Sequence, residues 1–131
     1  TLSGNPLAVS AGIACLKELG KPGVYEYLDH LGALAEQGVR AAAEATGTQI
    51  TVNRAGSAFT TFFAEAPITT WSEAADTDTA RYARYFHELL KRGVYTAPSQ
   101  FEAGFVSLAH TEEDLAFASE QVRASFEILS S

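Results

Sequence analysis

The chain has 131 residues, 47% of them apolar and 19% charged, with a formal net charge of −7. It is long enough for one domain with a real core and too apolar for disorder, and its nine Lys and Arg are scattered, which argues against binding a nucleic-acid backbone. The single cysteine, Cys15, rules out an internal disulfide and fits a reducing cytoplasm, and no apolar run reaches the length of a membrane span or a signal peptide.

Thr1-Leu2-Ser3-Gly4-Asn5-Pro6 opens the chain, and no methionine occurs anywhere in it. A start at Thr1 without methionine suggests a processed chain or a piece of a longer protein. Ser3 or Asn5 can cap a helix with Pro6 in its first turn, where the missing N–H is harmless. That helix, Pro6–Leu19, is rich in Ala and Gly, so it is expected to lie buried between layers with Cys15 on an apolar face. Gly20, Lys21, Pro22 and Gly23 end it. Apolar residues at helical spacing predict a long second helix over Val24–Thr46, weakened somewhat by Gly32 and Gly38.

The pattern then switches to β-branched and aromatic residues over 49–54 and 58–64, with Ala55, Gly56 and Ser57 between them as a turn, which predicts a β-hairpin. Residues 66–75 read as a loop with Pro67 and Trp71. A helix over 76–92 has acidic residues at its start and Lys91 and Arg92 at its end, as the helix dipole prefers, and Gly93 stops it. Short strands follow at 94–95 and 105–109. The last helix, 112–129, opens with a Thr111 to Asp114 capping pair. Together these elements predict an α+β fold: a small antiparallel sheet of three to four strands with helices on one face, preceded by a long connecting helix. Residues 1–46 are expected to form a helical segment joining a larger domain outside this chain, the first helix and part of the second having no sheet of their own to cover, and 47–131 to form the α+β domain.

Candidate chemistry concentrates in two places. The stretch 98–114, PSQFEAGFVSLAHTEED, puts Ser99 and Glu102 on a loop ahead of an apolar strand and a helix cap, an arrangement that α/β enzymes use to build site edges. Phe101 and Phe105 flank Glu102 and are expected to enclose it in part; a solvated loop carboxylate is the alternative. At the N-terminus, Thr1, Ser3 and Gly4 precede a helix start and can bind phosphate through hydroxyls, amides and the helix dipole; N-capping is the plainer reading. His30, His87 and His110 lack metal-ligand spacing. His110 is expected to shape its loop through the backbone. Trp71 and Tyr95 read as packing aromatics.

TLSGNP at 1–6, ITVNRAGSAFTTFF at 50–63 and RYARYFHELLKRGVYTAPSQFEAGFVSLAHTEED at 81–114 resemble, in order and spacing, the C-terminal part of the glutamate-1-semialdehyde aminomutases, within the class III aminotransferases. The resemblance runs from Thr1 to about Leu129. Many class III aminotransferases carry an Arg near the last strand to hold a substrate carboxylate, where this chain has Phe101–Glu102–Ala103; that difference favours the aminomutases. The resemblance implies a cytoplasmic homodimer that uses pyridoxal 5'-phosphate to convert glutamate 1-semialdehyde to 5-aminolevulinate for tetrapyrrole synthesis. It implies that Thr1 contacts the cofactor phosphate of the neighbouring subunit, that Glu102 lies at the substrate end of the site, and that Ser99 and Gln100 shape that loop. The family's Schiff-base lysine lies before TLSGNP, and Lys17, Lys21 and Lys91 lack its context, so the chain alone is expected to be inactive. Another class III aminotransferase, or a non-enzymatic α+β binding or dimerisation module, are the alternative readings.

Overall fold

Asn5 starts the first helix. In the computed structural model, which describes residues 3–130, its Oδ1 accepts from the backbone N–H groups of Leu7 and Ala8, both at 3.1 Å. Pro6 occupies the first helical position of α1, Pro6–Leu19. No residue of α1 is buried. Leu7 is 80% and Leu16 68% exposed, and Cys15 is exposed too. The expectation of a helix sandwiched between layers is therefore corrected: α1 leans against the second helix, and its apolar sides face outward.

Helix α2, Val24–Thr46, is ended by Gly47 at φ +64, and the Thr48 N–H bonds back to the Ala43 carbonyl at 2.9 Å. This is the left-handed closure that glycine permits without strain. Strands β1, Thr51–Ala55, and β2, Ala58–Phe62, pair antiparallel from Thr51 opposite Phe62 to Ala55 opposite Ala58. The hairpin is present as predicted, but only Gly56 and Ser57 close it, because Ala55, expected in the turn, pairs with Ala58 as the last residue of β1. β3, Gly104–Phe105, adds to β2 to make a three-stranded antiparallel sheet in the order β1-β2-β3.

Two strand expectations are corrected. Residues 94–95 are not a strand: the Val94 N–H is already committed to the Leu89 carbonyl at 3.0 Å, closing the helix before it. The strand expected over 105–109 stops at Phe105. Beyond Val106 the chain turns, with His110 N–H on the Ser107 carbonyl at 3.1 Å and the Ser107 N–H on His110 Nδ1 at 3.0 Å.

The helix expected over 76–92 is present but starts later, and a further short helix precedes it. α3, Trp71–Ala75, starts at a complete capping box between Thr70 and Glu73, inside the stretch expected to be loop. α4, Thr79–Lys91, starts at Asp78, whose carboxylate accepts from the Arg81 N–H at 2.8 Å. Thr77 sits between them. The last helix, α5, Glu112–Ser130, opens with reciprocal bonds between Thr111 and Asp114, as the capping pair predicts.

The α+β architecture is as expected. Helices α2, α4 and α5 cover one face of the sheet, and their core joins Val39, Val52, Phe63, Tyr85, Leu89 and Phe126. Phe126 is fully buried, stacked on Tyr85 at 5.2 Å between centroids and met edge-on by Phe63 at 5.9 Å. Burying one such ring contributes roughly 2–3 kcal/mol. The opposite face carries the connection between β2 and α4. There Asn53 donates to the Ile68 carbonyl at 2.8 Å, and Phe62 packs on Ile68 and Ala74. Arg54, bonded to Asp29 at 2.6 Å and Glu36 at 2.8 Å, fastens the hairpin to α2.

Candidate functional site

The turn between α4 and β3 is short of regular structure but not of anchors. The Tyr82 hydroxyl, from the buried side of α4, donates to the Ala97 carbonyl at 2.8 Å. Within the turn, the Ser99 hydroxyl accepts from the Phe101 N–H at 3.2 Å and the Ser99 carbonyl from the Glu102 N–H at 3.1 Å. From β2, the Thr60 hydroxyl donates to the Glu102 carbonyl at 3.3 Å. Gln100 points inward, 2% exposed, and its Nε2 donates to the Thr77 hydroxyl. Trp71 of α3 lies against Phe101, with ring centroids 5.1 Å apart.

On this held backbone sits Glu102. Its side chain is exposed, which corrects the expectation that Phe101 and Phe105 partly enclose it: both rings are themselves exposed, Phe101 being turned onto Trp71. The carboxylate makes no hydrogen bond or ion pair among the described residues. Its charge is felt by Tyr82, whose hydroxyl is pushed above the usual range first by burial and further by Glu102, against the opposing hydrogen bond of Thr96. The hollow behind Glu102, lined by Thr60, Tyr82 and Thr96, measures only about 20 Å³, room for a water and no more. Whatever Glu102 meets approaches from outside this chain's own surface. A backbone tied at several points that presents an unpaired carboxylate outward is suited to recognising a charged or hydrogen-bonding group on a partner surface or ligand.

The other site residues are scattered. Thr1 lies outside the described residues. Ser3 and Gly4 are exposed, no hydrogen bond joins them to the 98–102 turn, and Asn5 already takes two of the amides at the start of α1. His30 pairs with Glu112 at 2.9 Å, tying α2 to the start of α5. His110 shapes its turn through the Ser107 amide, the role its position predicts. Among the described residues no three His, Cys, Asp or Glu side chains come together as a metal site.

Gln100 and Thr77 are the residues that sequence reading underweights. A buried loop amide has no periodicity to betray it; only its place between Pro98 and Phe101 hints at a turn that folds inward. The Thr77 hydroxyl donates to the Ala74 carbonyl at 2.7 Å. It therefore can only accept from Gln100, which fixes the amide so that Oε1 faces the other way, buried and with no protein donor. One net hydrogen bond contributes about 1 kcal/mol, whereas an unsatisfied buried acceptor costs about 1–3 kcal/mol. On these magnitudes the hydrogen bond does not outweigh an acceptor left without a protein partner.

A pyridoxal phosphate pocket needs a lysine aimed at the cofactor and an enclosed, phosphate-binding cradle. The described residues do not fit that group by themselves. Lys21 pairs with Glu18 and Lys91 with Glu88, both lysines open to solvent, and Lys17 lies on the exposed surface of α1.

No protein-family profile matches the chain. In sequence it is 50% identical over 126 residues to glutamate-1-semialdehyde 2,1-aminomutase of Pelotomaculum thermopropionicum, spanning 96% of this chain and 29% of that protein. It is 50% identical over 124 residues to the Thermus thermophilus protein of the same name, over 94% of this chain and 29% of the relative. The chain thus spans less than a third of the length of these curated relatives, and the part it resembles is their C-terminal portion. Among solved structures, a glutamate-1-semialdehyde aminomutase from Pseudomonas aeruginosa superposes with a TM-score of 0.83 at 25% identity, over 96% of this chain and 28% of that one. An omega-transaminase from Sphaerobacter thermophilus superposes with a TM-score of 0.81 at 20% identity, over 98% of this chain and 29% of that one, a likeness of fold alone.

Proposed function

We propose that this chain is the C-terminal domain of a pyridoxal-phosphate-dependent aminomutase that converts glutamate 1-semialdehyde to 5-aminolevulinate, and that it supplies the substrate-end wall of the site rather than the cofactor chemistry. The observation that carries this reading is the 50% identity to aminomutases over nearly the whole chain. The outward Glu102 supports it. An anionic side chain at the substrate end disfavours a second carboxylate there by like-charge repulsion. Such a wall suits an enzyme that moves an amine within one molecule more than one that takes a dicarboxylic amino acceptor. Ser99 shapes the turn beneath Glu102, and Thr1 approaches the cofactor phosphate of a neighbouring subunit in a cytoplasmic homodimer. The Schiff-base lysine and the cofactor pocket belong to the remainder of the enzyme, so the 131 residues alone are inactive and hold no cofactor.

The test compares the full-length gene product with this chain. The expected result is that only the full-length protein carries the cofactor absorbance and forms 5-aminolevulinate from glutamate 1-semialdehyde without an added amino acceptor. Turnover only with an external amino acceptor would assign the chain to a transaminase instead. A gene encoding these 131 residues alone would overturn the enzyme reading in favour of a binding module.

A further inference from the structure

We infer that Thr77 and Gln100 form a buried latch that sets where Glu102 stands, with Gln100 a positioning residue of the substrate wall; this rests on the reading that Glu102 faces substrate. The two side chains come from positions 23 residues apart and meet where three elements converge: the end of α3, the start of α4 and the turn ahead of β3. Gln100 lies two residues before Glu102. The hydroxyl it reaches is held by the Ala74 carbonyl at 2.7 Å, so the hydrogen bond has one orientation and the turn one depth. The other anchors constrain the flanks, Tyr82 at Ala97 and Thr60 at the Glu102 carbonyl. Only Gln100 pulls on the middle of the turn from below.

The choice of side chain argues for positioning. An apolar residue of similar size would bury as well without leaving an oxygen unsatisfied, yet the position holds an amide whose Oε1 meets no protein donor. What the amide adds over a leucine is direction: a specified partner at a specified depth.

Trp71 is the only tryptophan in the chain, and it rests on Phe101, the residue between Gln100 and Glu102. Its fluorescence therefore reports the turn directly, with no activity needed. Trp71 is 69% exposed, so what the latch governs is the mobility of its ring against Phe101: in this chain, Gln100→Leu is expected to lower the steady-state fluorescence anisotropy of Trp71 by at least a third while the melting temperature stays level or rises. In the full-length enzyme the same change is expected to lower kcat/KM for glutamate 1-semialdehyde at least tenfold with the cofactor absorbance intact. Thr77→Val, which cuts the latch from its other end, is expected to reproduce the anisotropy and kinetic effects, and the double variant to be no worse than the stronger single one. An unchanged Trp71 anisotropy, with kcat/KM within twofold of the unaltered protein, overturns the proposal. So does a Gln100→Leu chain that unfolds or melts lower in step with its Trp71 signal, since that marks an ordinary packing role. If the unaltered full-length protein forms no 5-aminolevulinate, the functional reading fails, and the Trp71 measurement still decides whether the latch exists.

Discussion

The α-carbon of Gly32, in the middle of α2, lies directly beneath the carbonyl of Gly56 at the tip of the β-hairpin. A methyl group built at Gly32 would fall well inside contact distance of that backbone oxygen. Glycine in a helix interior is a weakness of about 1 kcal/mol relative to alanine, and here the helix accepts it because nothing larger lets the hairpin close down on α2. Gly32→Ala is therefore expected to destabilise the chain by a net of about 1–3 kcal/mol despite its better helix propensity, since the clashing partner is backbone and cannot rotate away. Urea unfolding measures this; a midpoint that rises would show that the hairpin tip can give way.

Tyr82→Phe removes the hydroxyl from the Ala97 carbonyl and from Thr96 and leaves the ring buried in α4's core face. The expected loss is about 1–2 kcal/mol, which lowers the melting temperature of a chain this size by about 3–8 °C. Calorimetry checks it, and an unchanged melting temperature would mean that the carbonyl is served equally well by solvent.

The helix boundaries that the sequence makes legible are those with punctuation on both sides. α1 lies between Asn5–Pro6 and Gly20, and α2 between Gly23 and Gly47. The division of α3 from α4 was equally signed, by Thr70 and Glu73 spaced as a capping box, but a helix of five residues is too short to show a period, and the acidic residues near 76 look like the start of a longer helix. β3 misleads in the opposite way. Phe105, Val106 and Leu108 look like a strand by composition, yet only Val106 is buried, and the Ser107–His110 turn needs the rest. At the site, Glu102 is marked by its motif, whereas its exposure depends on Phe101 turning to Trp71, a contact between residues 30 positions apart that no local pattern carries.

Acid unfolding has an identifiable contributor in Glu36. Hydrogen bonds from Arg54 and then Arg40 hold its carboxyl below the ordinary value of 4.5, against a smaller opposing effect of burial. A carboxyl depressed in the folded state stabilises fully above its unfolded value and loses that contribution as pH falls through the folded one. Stability is thus expected to be flat in this respect from neutral pH down to about 5 and to decline below about 4.5. Glu36→Gln should lower stability at pH 7 and flatten that decline; parallel profiles for the two proteins from pH 7 to 3 would remove Glu36 from the account.

Val9, Ile13 and Leu16 form a stripe at helical spacing along α1, all exposed. A helix this apolar is ordinarily covered, and an open apolar surface promotes association. Sedimentation of this chain is expected to show concentration-dependent self-association that Ile13→Glu with Leu16→Glu reduces. Monomer at every concentration for the unaltered chain would show that the stripe is too narrow to drive assembly.

His30 and Glu112, 82 positions apart in the chain, are bonded neighbours, and the same pairing of early and late segments runs through the core, where Phe126 of α5 fills the space between Phe63 and Tyr85. During synthesis, α2 is therefore made long before the helix that covers it, and its apolar residues Leu31, Ala35 and Val39 must wait uncovered until α5 has left the ribosome. Completion of this domain waits on the synthesis of α5, and a nascent chain stalled before α5 is the form in which it most needs a chaperone.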